Sequence, residues 1–439
     1  DCEPVGWTVL GTPYDIYGFF DLEDSNEMDR VASENGVDGE ADRATVRSNV
    51  NEGCNLARDN QKLYMILLTV AAATALHLAA QGNRVLVMST DPAHSLGDAL
   101  SLSLTSEPIR VAPGLDALEI DTLVENDRTW AGLRNYLARL MVREGEVTLA
   151  TQEALLLPGL GELFSLLRVL DHASSGRYDV LVVDCAPTGE TLSLLKYPER
   201  LDQLFRTALP TKRALVRILG KPFERLTRIP MPEDRLFDDL LGLLDRLKRL
   251  GDLLHDGEVT TLRLVATPEH VVIAETRRAH TWLTMYGFVV DAVILNRIYP
   301  ASALGGYFEP WATAQATGIQ RIEESFAHLP IHRLPLQEQE IIGLEALGEL
   351  ARTMYGDDDP AAVNYRGDYL RVTRSDGCLR LHISLPHADR SELNLCQDGD
   401  DLLLTHRNEH RRIAMPGSLH GRQVTGARFL HDELVLTMT

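Results

Sequence analysis

What this sequence lacks narrows its function first. Its 439 residues hold five cysteines, Cys2, Cys54, Cys185, Cys378 and Cys396, and no two of them form a CxxC pair. Thiols scattered in this way argue against a disulfide framework and point to a reducing, cytoplasmic setting. Basic residues are short, with 43 Lys and Arg against 64 Asp and Glu and a net charge of −21. Nucleic acid is therefore not an expected partner, because no basic excess is available to displace counterions from a phosphate backbone. Apolar runs of membrane-spanning length are scarce too. Leu63–Ala80, LYMILLTVAAATALHLAA, is long enough to suggest one. Its halves differ, however: Leu63–Leu68 is strand-like, while Val70–Ala80 is Ala-rich with high helix propensity and closes at Gly82 before another strand. The expectation is a strand–helix–strand unit and not an integral membrane protein.

Residues 1–61 carry 14 acidic residues against 4 basic ones and no sustained hydrophobic period apart from Tyr14, Tyr17, Phe19 and Phe20. Too little apolar surface is present to offset the entropy of ordering such a segment, so it reads as mostly disordered. Its acidity and polar start do not suit a signal or transit peptide.

What is present begins with Arg84–Ser95, RVLVMSTDPAHS: a short apolar strand of the kind buried in a parallel sheet, then an abrupt polar loop. A second such strand, Tyr178–Val183, stops at Asp184 and runs into CAPTGE. Ligands of open α/β sheets sit at the carboxyl ends of the strands, and a hard cation favours carboxylate, hydroxyl and water oxygens. Acidic residues are common after strands in any case, but two aspartate-tipped strands together favour a shared Mg²⁺–phosphate site.

STDPAHSLGDAL and VVDCAPTGETLSLL resemble the two switch segments of the ArsA family of deviant P-loop ATPases, which includes the arsenite-pump ATPase and the ATPases that target tail-anchored membrane proteins. The resemblance runs from about Leu63 to Leu350. It implies ATP or ADP with Mg²⁺ as cofactors and a homodimer closing around two nucleotides. It implies further that Asp91 orients or activates the attacking water, that Ser95 lies near Mg²⁺ and the terminal phosphate, and that Asp184 holds Mg²⁺ through water. Pro92 and His94, with Pro187, Thr188 and Gly189, correspond to the moving switch residues. Family members that hold zinc do so with a CxxC, so no zinc is expected here; arsenite-binding cysteine clusters are likewise not evident.

The family's glycine-rich phosphate loop, resembling GKGGVGKTT, is missing, and Thr69 meets Val70 directly. That loop supplies backbone N–H groups, a phosphate-binding lysine and a Mg²⁺-binding hydroxyl. Lys62 is no substitute, being about 20 Å from the strand tip by strand rise. Two explanations stand open. If the loop is absent from the polypeptide, Thr69–Ala72 must unwind to connect strand to helix, because such connections take about 2–6 residues, and turnover is expected to be negligible. If residues are missing from the sequence as written, Thr69 and Val70 lie farther apart than the roughly 3.8 Å of bonded Cα neighbours.

Further along, ALEIDT contains a short strand at Leu118–Ile120, Trp130–Arg143 reads as an amphipathic helix, and Leu156–Leu170 resembles a family helix near the dimer partner or is an ordinary core helix. A Leu- and Arg-rich insertion at about 197–257 has one stripe from Leu201 to Leu219 and another of Leu236, Leu240, Leu243, Leu244 and Leu247. In the targeting ATPases this segment builds a hydrophobic client groove; helical stripes are also what a core requires. Strands Leu262–Ala266 and Val289–Leu295 follow. Asn296 matches the family residue that reads the adenine edge, or is a turn-forming Asn. Pro335 and Leu336 match the loop packing on the base, and Glu338 or Glu340 either meets ribose or caps a helix.

Gly356–Asp368 reads as an acidic linker, after which Leu379, Leu381, Ile383 and Leu385 alternate with polar residues and turns fall at Asp376–Gly377 and Asp398–Gly399. RRIAMPGSLHG resembles α-crystallin domains. His406, His410 and His420 lack metal-ligand spacing and read as solvated. The expected organisation is an extension at 1–61, an ATPase-like domain at 62–355, a linker at 356–368 and a domain at 369–439. In fold class this is α/β: a mainly parallel P-loop NTPase-type sheet with a helical insertion, plus a C-terminal all-β sandwich. The implied function is ATP-driven handling of a hydrophobic or membrane-protein client. A nucleotide-independent chaperone or adaptor and an arsenite-efflux energiser are the alternatives.

Overall fold

The computed structural model describes residues 69–90, 95–121, 124, 160–184, 234–362, 365, 367, 369–375, 378–407 and 409–439. Residues 69–439 form one compact unit by their contacts. The described residues all belong to it. The expected strand Leu63–Leu68, the helix at Trp130–Arg143 and the stripe Leu201–Leu219 lie outside them.

A helix over residues 69–80 (α1) opens the described chain. Ala72, Ala73 and Ala75 are fully buried, and the Thr74 hydroxyl donates to the Val70 carbonyl one turn back, at 2.7 Å. Residues 69–72 are therefore helical; the expected unwinding does not occur, because alanine has the highest helix propensity and this face is buried. Gly82, at φ +95°, ends the helix in a conformation that favours glycine.

Two sheets follow. In the first, β1 (Val85–Ser89), β3 (Leu115–Glu119) and β4 (Val180–Asp184) run parallel, with β2 (Ile109–Ala112) antiparallel on the edge, in the order β2-β3-β1-β4. All five residues of β1 and of β3 are buried, as strands covered on both faces require. In the second, β5 (Leu262–Ala266), β6 (Val290–Ile298) and β7 (Ile331–Pro335) are parallel, in the order β5-β6-β7. The helices are α2 (Leu96–Leu100), α3 (Leu160–Ser174), α4 (Asp234–His255), α5 (His270–Met285), α6 (Glu309–Ser325) and α7 (Gly343–Tyr355). Among the described residues, no helix is long and apolar enough to cross a membrane.

Helix α4 resolves half of the insertion. Leu247 and Leu250 join Leu166, Leu167 and Leu170 of α3 over Leu86, Met88 and Leu118 of the first sheet. Each buried leucine contributes about 1.5–3 kcal/mol, so Leu244 and Leu247 of this stripe belong to the core, while the side chains of Leu236 and Leu240 lie outside the described residues.

The C-terminal region is a two-layer antiparallel sandwich. Strands β8 (Leu370–Ser375), β9 (Cys378–Ser384), β13 (Val424–Leu430) and β14 (Glu433–Met438) form one sheet in the order β13-β14-β9-β8. β10 (Leu393–Asp398), β11 (Asp401–His406) and β12 (Glu409–Ala414) form the other. The two-residue period is realised directly: Leu381, Ile383, Leu402, Leu404 and Leu436 are all fully buried. His406 departs from the solvated reading. It sits among the buried residues at the end of β11, because the alternation that buries Leu402 and Leu404 turns it inward as well. The sandwich does not hang from its linker. Its leucines share one continuous core with Phe288, Val293, Ile322 and Phe326 of the α/β part.

Candidate functional site

The first sheet brings three polar side chains into one row. Ser89 pairs with Glu119 on one side and with Asp184 on the other, so the last residues of β3, β1 and β4 lie in register at the carboxyl ends of parallel strands. Residues in register on parallel strands project to the same face. The Ser89 hydroxyl donates to Asp184 Oδ2 at 3.2 Å, and the Thr90 amide and hydroxyl both reach the Asp184 carbonyl, at 3.0 and 3.2 Å. Ser89, Thr90, Glu119 and Asp184 are all buried. A carboxylate is costly to bury unless hydrogen-bonded or paired, and here Asp184 accepts the Ser89 hydroxyl; carboxylate and hydroxyl oxygens are also the donors a hard cation takes.

Glu119 received no role from the sequence, since a glutamate in ALEIDT carries no motif; only the strand register reveals it. Its Oε1 accepts the backbone N–H of Gly97 at 2.8 Å, tying the start of α2 to the end of β3. The position needs glycine: a Cβ there would stand 2.6 Å from the Leu102 carbonyl oxygen. Ser95 is the N-cap residue of α2, buried, and its side chain makes no capping bond. Asp184 thus ends β4 beside Ser89, and Ser95 stands two residues before Gly97, whose amide is tied to Glu119. Asp91, Pro92, His94, Pro187, Thr188 and Gly189 lie outside the described residues.

A second polar cluster occupies the ends of the other sheet. Ala266 of β5 pairs with Leu295 of β6, which places Thr267 and Asn296 side by side just beyond the paired strands. Asn296 Oδ1 accepts the Arg297 amide at 2.8 Å, and Arg297 is left-handed at φ +55°. Asn296 lies within β6, where its oxygen meets its own neighbour's amide. Its Nδ2, however, is buried without a partner, as are Thr267 Oγ1 and Glu269 Oε2. Each unmet buried polar group costs about 1–3 kcal/mol unless water or a ligand meets it. Burial pushes the Glu269 carboxyl above the usual carboxylate range, with its own backbone amide and Arg297 opposing.

Pro335 and Leu336 are exposed at the end of β7, where the Leu336 amide donates to the Ile298 carbonyl at 2.8 Å. β7 thereby ends against the same stretch of β6 that carries Asn296. Glu338 and Glu340 are exposed, and the residue capping α7 is Ile342. A cavity of about 430 Å³ opens on the other side of this cluster, lined by Glu269, Val271, Tyr299, Trp311, Gln315 and Arg321 among others. Gln315 closes its rim through paired bonds to the Tyr299 amide and carbonyl, at 2.7 and 3.0 Å.

The donor types suit a nucleotide: the first cluster offers buried carboxylate and hydroxyl oxygens of the kind a hydrated cation takes, and the second an unpartnered amide beside an apolar Pro–Leu loop.

Comparison with known proteins gives a matching picture. Residues 68–356 match the family model described as "Anion-transporting ATPase", and residues 376–438 match an HSP20-like domain found in ArsA. A protein of Prosthecochloris vibrioformis named "Putative arsenical pump-driving ATPase" is 36% identical over 366 residues, covering 82% of this chain and 90% of its own length. An Aquifex aeolicus protein named "Putative arsenical pump-driving ATPase 1" is 29% identical over 381 residues, covering 84% and 96%. An "ATPase ASNA1 homolog" of Babesia bovis is 30% identical over 267 residues, covering 59% and 70%.

Proposed function

The chain belongs to the ArsA family of anion-transporting ATPases, and from that premise we propose that it binds ATP or ADP with Mg²⁺ as a homodimer and uses nucleotide state to handle a hydrophobic or membrane-protein client. The observation carrying this reading is the row of Glu119, Ser89 and Asp184 across three adjacent strand ends. Mg²⁺, when bound, neutralises charge on the phosphate oxygens.

Each side chain then has a task. Asp184 receives the hydrated ion, with Ser89 holding its carboxylate in place. Ser95 offers its uncommitted hydroxyl to the terminal phosphate. Asp91 accepts a hydrogen bond from the attacking water and so orients it. Pro92 and His94, with Pro187, Thr188 and Gly189, form the segments that respond when phosphate leaves. Asn296 donates from its free amide to the base, while Pro335 and Leu336 pack on the ring. Because no glycine-rich loop separates Thr69 from Val70, phosphate binding is weak and turnover negligible in a polypeptide of this sequence.

The test is Mg·ATP binding by calorimetry on full-length protein whose intact mass matches the sequence, beside Asp184→Asn and Asn296→Asp. At least tenfold weaker binding in both variants supports the assignment; equal binding in all three proteins overturns it. An Mg²⁺-dependent ATPase rate that is lost in Asp91→Asn overturns the negligible turnover alone.

A second reading draws on the HSP20-like match and the missing loop: a chaperone or adaptor acting without nucleotide. It requires suppression of client aggregation in the absence of ATP. The names of two relatives bring arsenite-efflux energisation into view as well. That role requires hydrolysis stimulated by metalloid, and Cys378 and Cys396, both free, sit on different strands of different sheets.

A further inference from the structure

The seam between the α/β part and the sandwich is built around imidazoles. His280, in the middle of α5, is 3% exposed, and its Nδ1 lies 3.2 Å from Nε2 of His387, in the turn after β9. One ring must donate to the other, which requires at least one neutral imidazole. Phe326, fully buried after α6, packs on both rings, at 5.3 and 5.1 Å between centroids. His328 stacks on His280 at 5.7 Å from the exposed rim and meets Tyr365 edge-on at 5.2 Å.

The backbone here is equally committed. Thr281 donates its hydroxyl to the Pro386 carbonyl at 2.5 Å, and His387 is held left-handed at φ +61° with its amide on Asp432 Oδ1 at 3.2 Å. The charged groups that act on the pair are Arg277 of α5 and Asp432 of the β13–β14 turn. Among the described residues no group of three or more His, Cys, Asp or Glu side chains has metal-holding geometry, and an imidazole is the side chain whose charge changes between pH 5 and 8.

We propose that the His280–His387 contact is an acid-sensitive latch, closed while at least one ring is neutral and accepts the other's N–H and opened when both rings are protonated, releasing the sandwich from α5. The latch stands on the contact, the apolar packing around it and the seam it closes. Titration agrees in direction. Burial, with the two neighbouring histidines adding to it, lowers His280 from 6.5 to about 3. Burial and Arg277 lower His387 to about 4, with Asp432 opposing. Both values are depressed in the closed state, so closure is favoured in full above pH 6.5 and is lost as pH falls toward 4 and then 3. At pH 5 a released imidazole of ordinary pKa favours the open state by about 30-fold, before the second ring adds its share.

Hydrogen exchange of the full chain at pH 7.5 and pH 5, corrected for intrinsic rates, reads the latch at the β9 and β14 amides. At least tenfold loss of protection at pH 5 is expected. In His387→Asn about half of that loss, on a logarithmic scale, should vanish, since asparagine tolerates the left-handed backbone and does not titrate, while His280 still does. The same pH dependence in wild type and variant overturns the proposal, as does unchanged protection in the wild type. Should the variant fail to fold, proton NMR titration of wild-type His280 and His387 decides. Ordinary titration near pH 6.5 with the sandwich still protected overturns the latch; depressed titration that coincides with loss of protection upholds it.

Discussion

Replacing Glu119 tests the least anticipated member of the strand-end row. In Glu119→Ala the Gly97 amide loses the carboxylate oxygen it now meets at 2.8 Å, in a place where both residues are buried. Hydrogen bonds to charged groups contribute about 1.5–3 kcal/mol, so local opening of the first turn of α2 should become about 10- to 150-fold more frequent. Glu119→Gln keeps an oxygen for the same amide but removes the charge, and charge-assisted bonds are roughly twice as strong as neutral ones. The glutamine variant should therefore recover about half of the loss in free energy. Exchange of the Gly97 amide, followed by NMR at constant pH, measures this directly while global stability is tracked by denaturant. Gly97 exchange as slow in Glu119→Ala as in the parent would refute the tie between β3 and α2. Equal loss in both variants would locate the effect in charge and not in the hydrogen bond.

Two other substitutions probe separate features. Asn296→Asp retains the oxygen that accepts the Arg297 amide but removes the unpartnered Nδ2; the fold should hold, while nucleotide affinity falls at least tenfold by calorimetry. Tyr355→Phe removes the hydroxyl that joins Thr74 Oγ1 at 2.8 Å and Arg263 Nη1 at 3.3 Å, linking α1 and β5 to α7. Because Thr74 still reaches Val70 and Arg263 still reaches the Pro360 carbonyl, the loss is confined to about 1–2 kcal/mol in urea denaturation.

Much of this architecture was legible because it rests on local periodicity. The apolar run of β1 and the alternation of β9 announce a covered parallel strand and a half-buried antiparallel one. The strand at Leu118–Ile120 was found but cut short, since Asp116 breaks the apolar run; in the structure Asp116 is buried and bonded by the Tyr178 hydroxyl at 2.9 Å and paired with Arg110. The edge strand β2, only half-buried, was missed altogether because IRVA gives too short a pattern. Glu119 was missed for another reason: its partners, Gly97 and the row through Ser89, are set by strand order, which no spacing along the chain encodes. Asn296 shows the converse. Motif and turn chemistry each offered a role, and the structure shows its oxygen on the Arg297 amide and its Nδ2 without a partner.

The sandwich is where the structure adds most to the sequence. The acidic linker at residues 356–368 reads as a domain boundary, and the buried faces on either side of it share one core. Tyr286, just past α5, gives its hydroxyl to the His410 carbonyl at 3.1 Å, and its own carbonyl accepts Arg411 Nη1 at 2.6 Å. The same guanidinium lies 5.0 Å above the Tyr286 ring, and Tyr369 presses within 3.0 Å of where a Cβ on Gly287 would stand. From there α5 runs back to Glu269 and Thr267, two of the three unpartnered groups at the strand ends. Packed interiors transmit displacement because they hold no slack to absorb it. A ligand that draws the β5–α5 turn toward Asn296 would therefore act on α5 at one end, and the sandwich would meet that shift at Tyr286 and His280. Proton uptake at the seam acts on the same helix from its other side. By linkage, protonation that loosens the seam should change nucleotide affinity by the same factor as nucleotide changes the seam's proton affinity. Measuring Mg·ATP affinity across pH 5 to 7.5 in His387→Asn and its parent tests that equality: parallel curves for the two proteins would mean that α5 does not couple the seam to the strand ends.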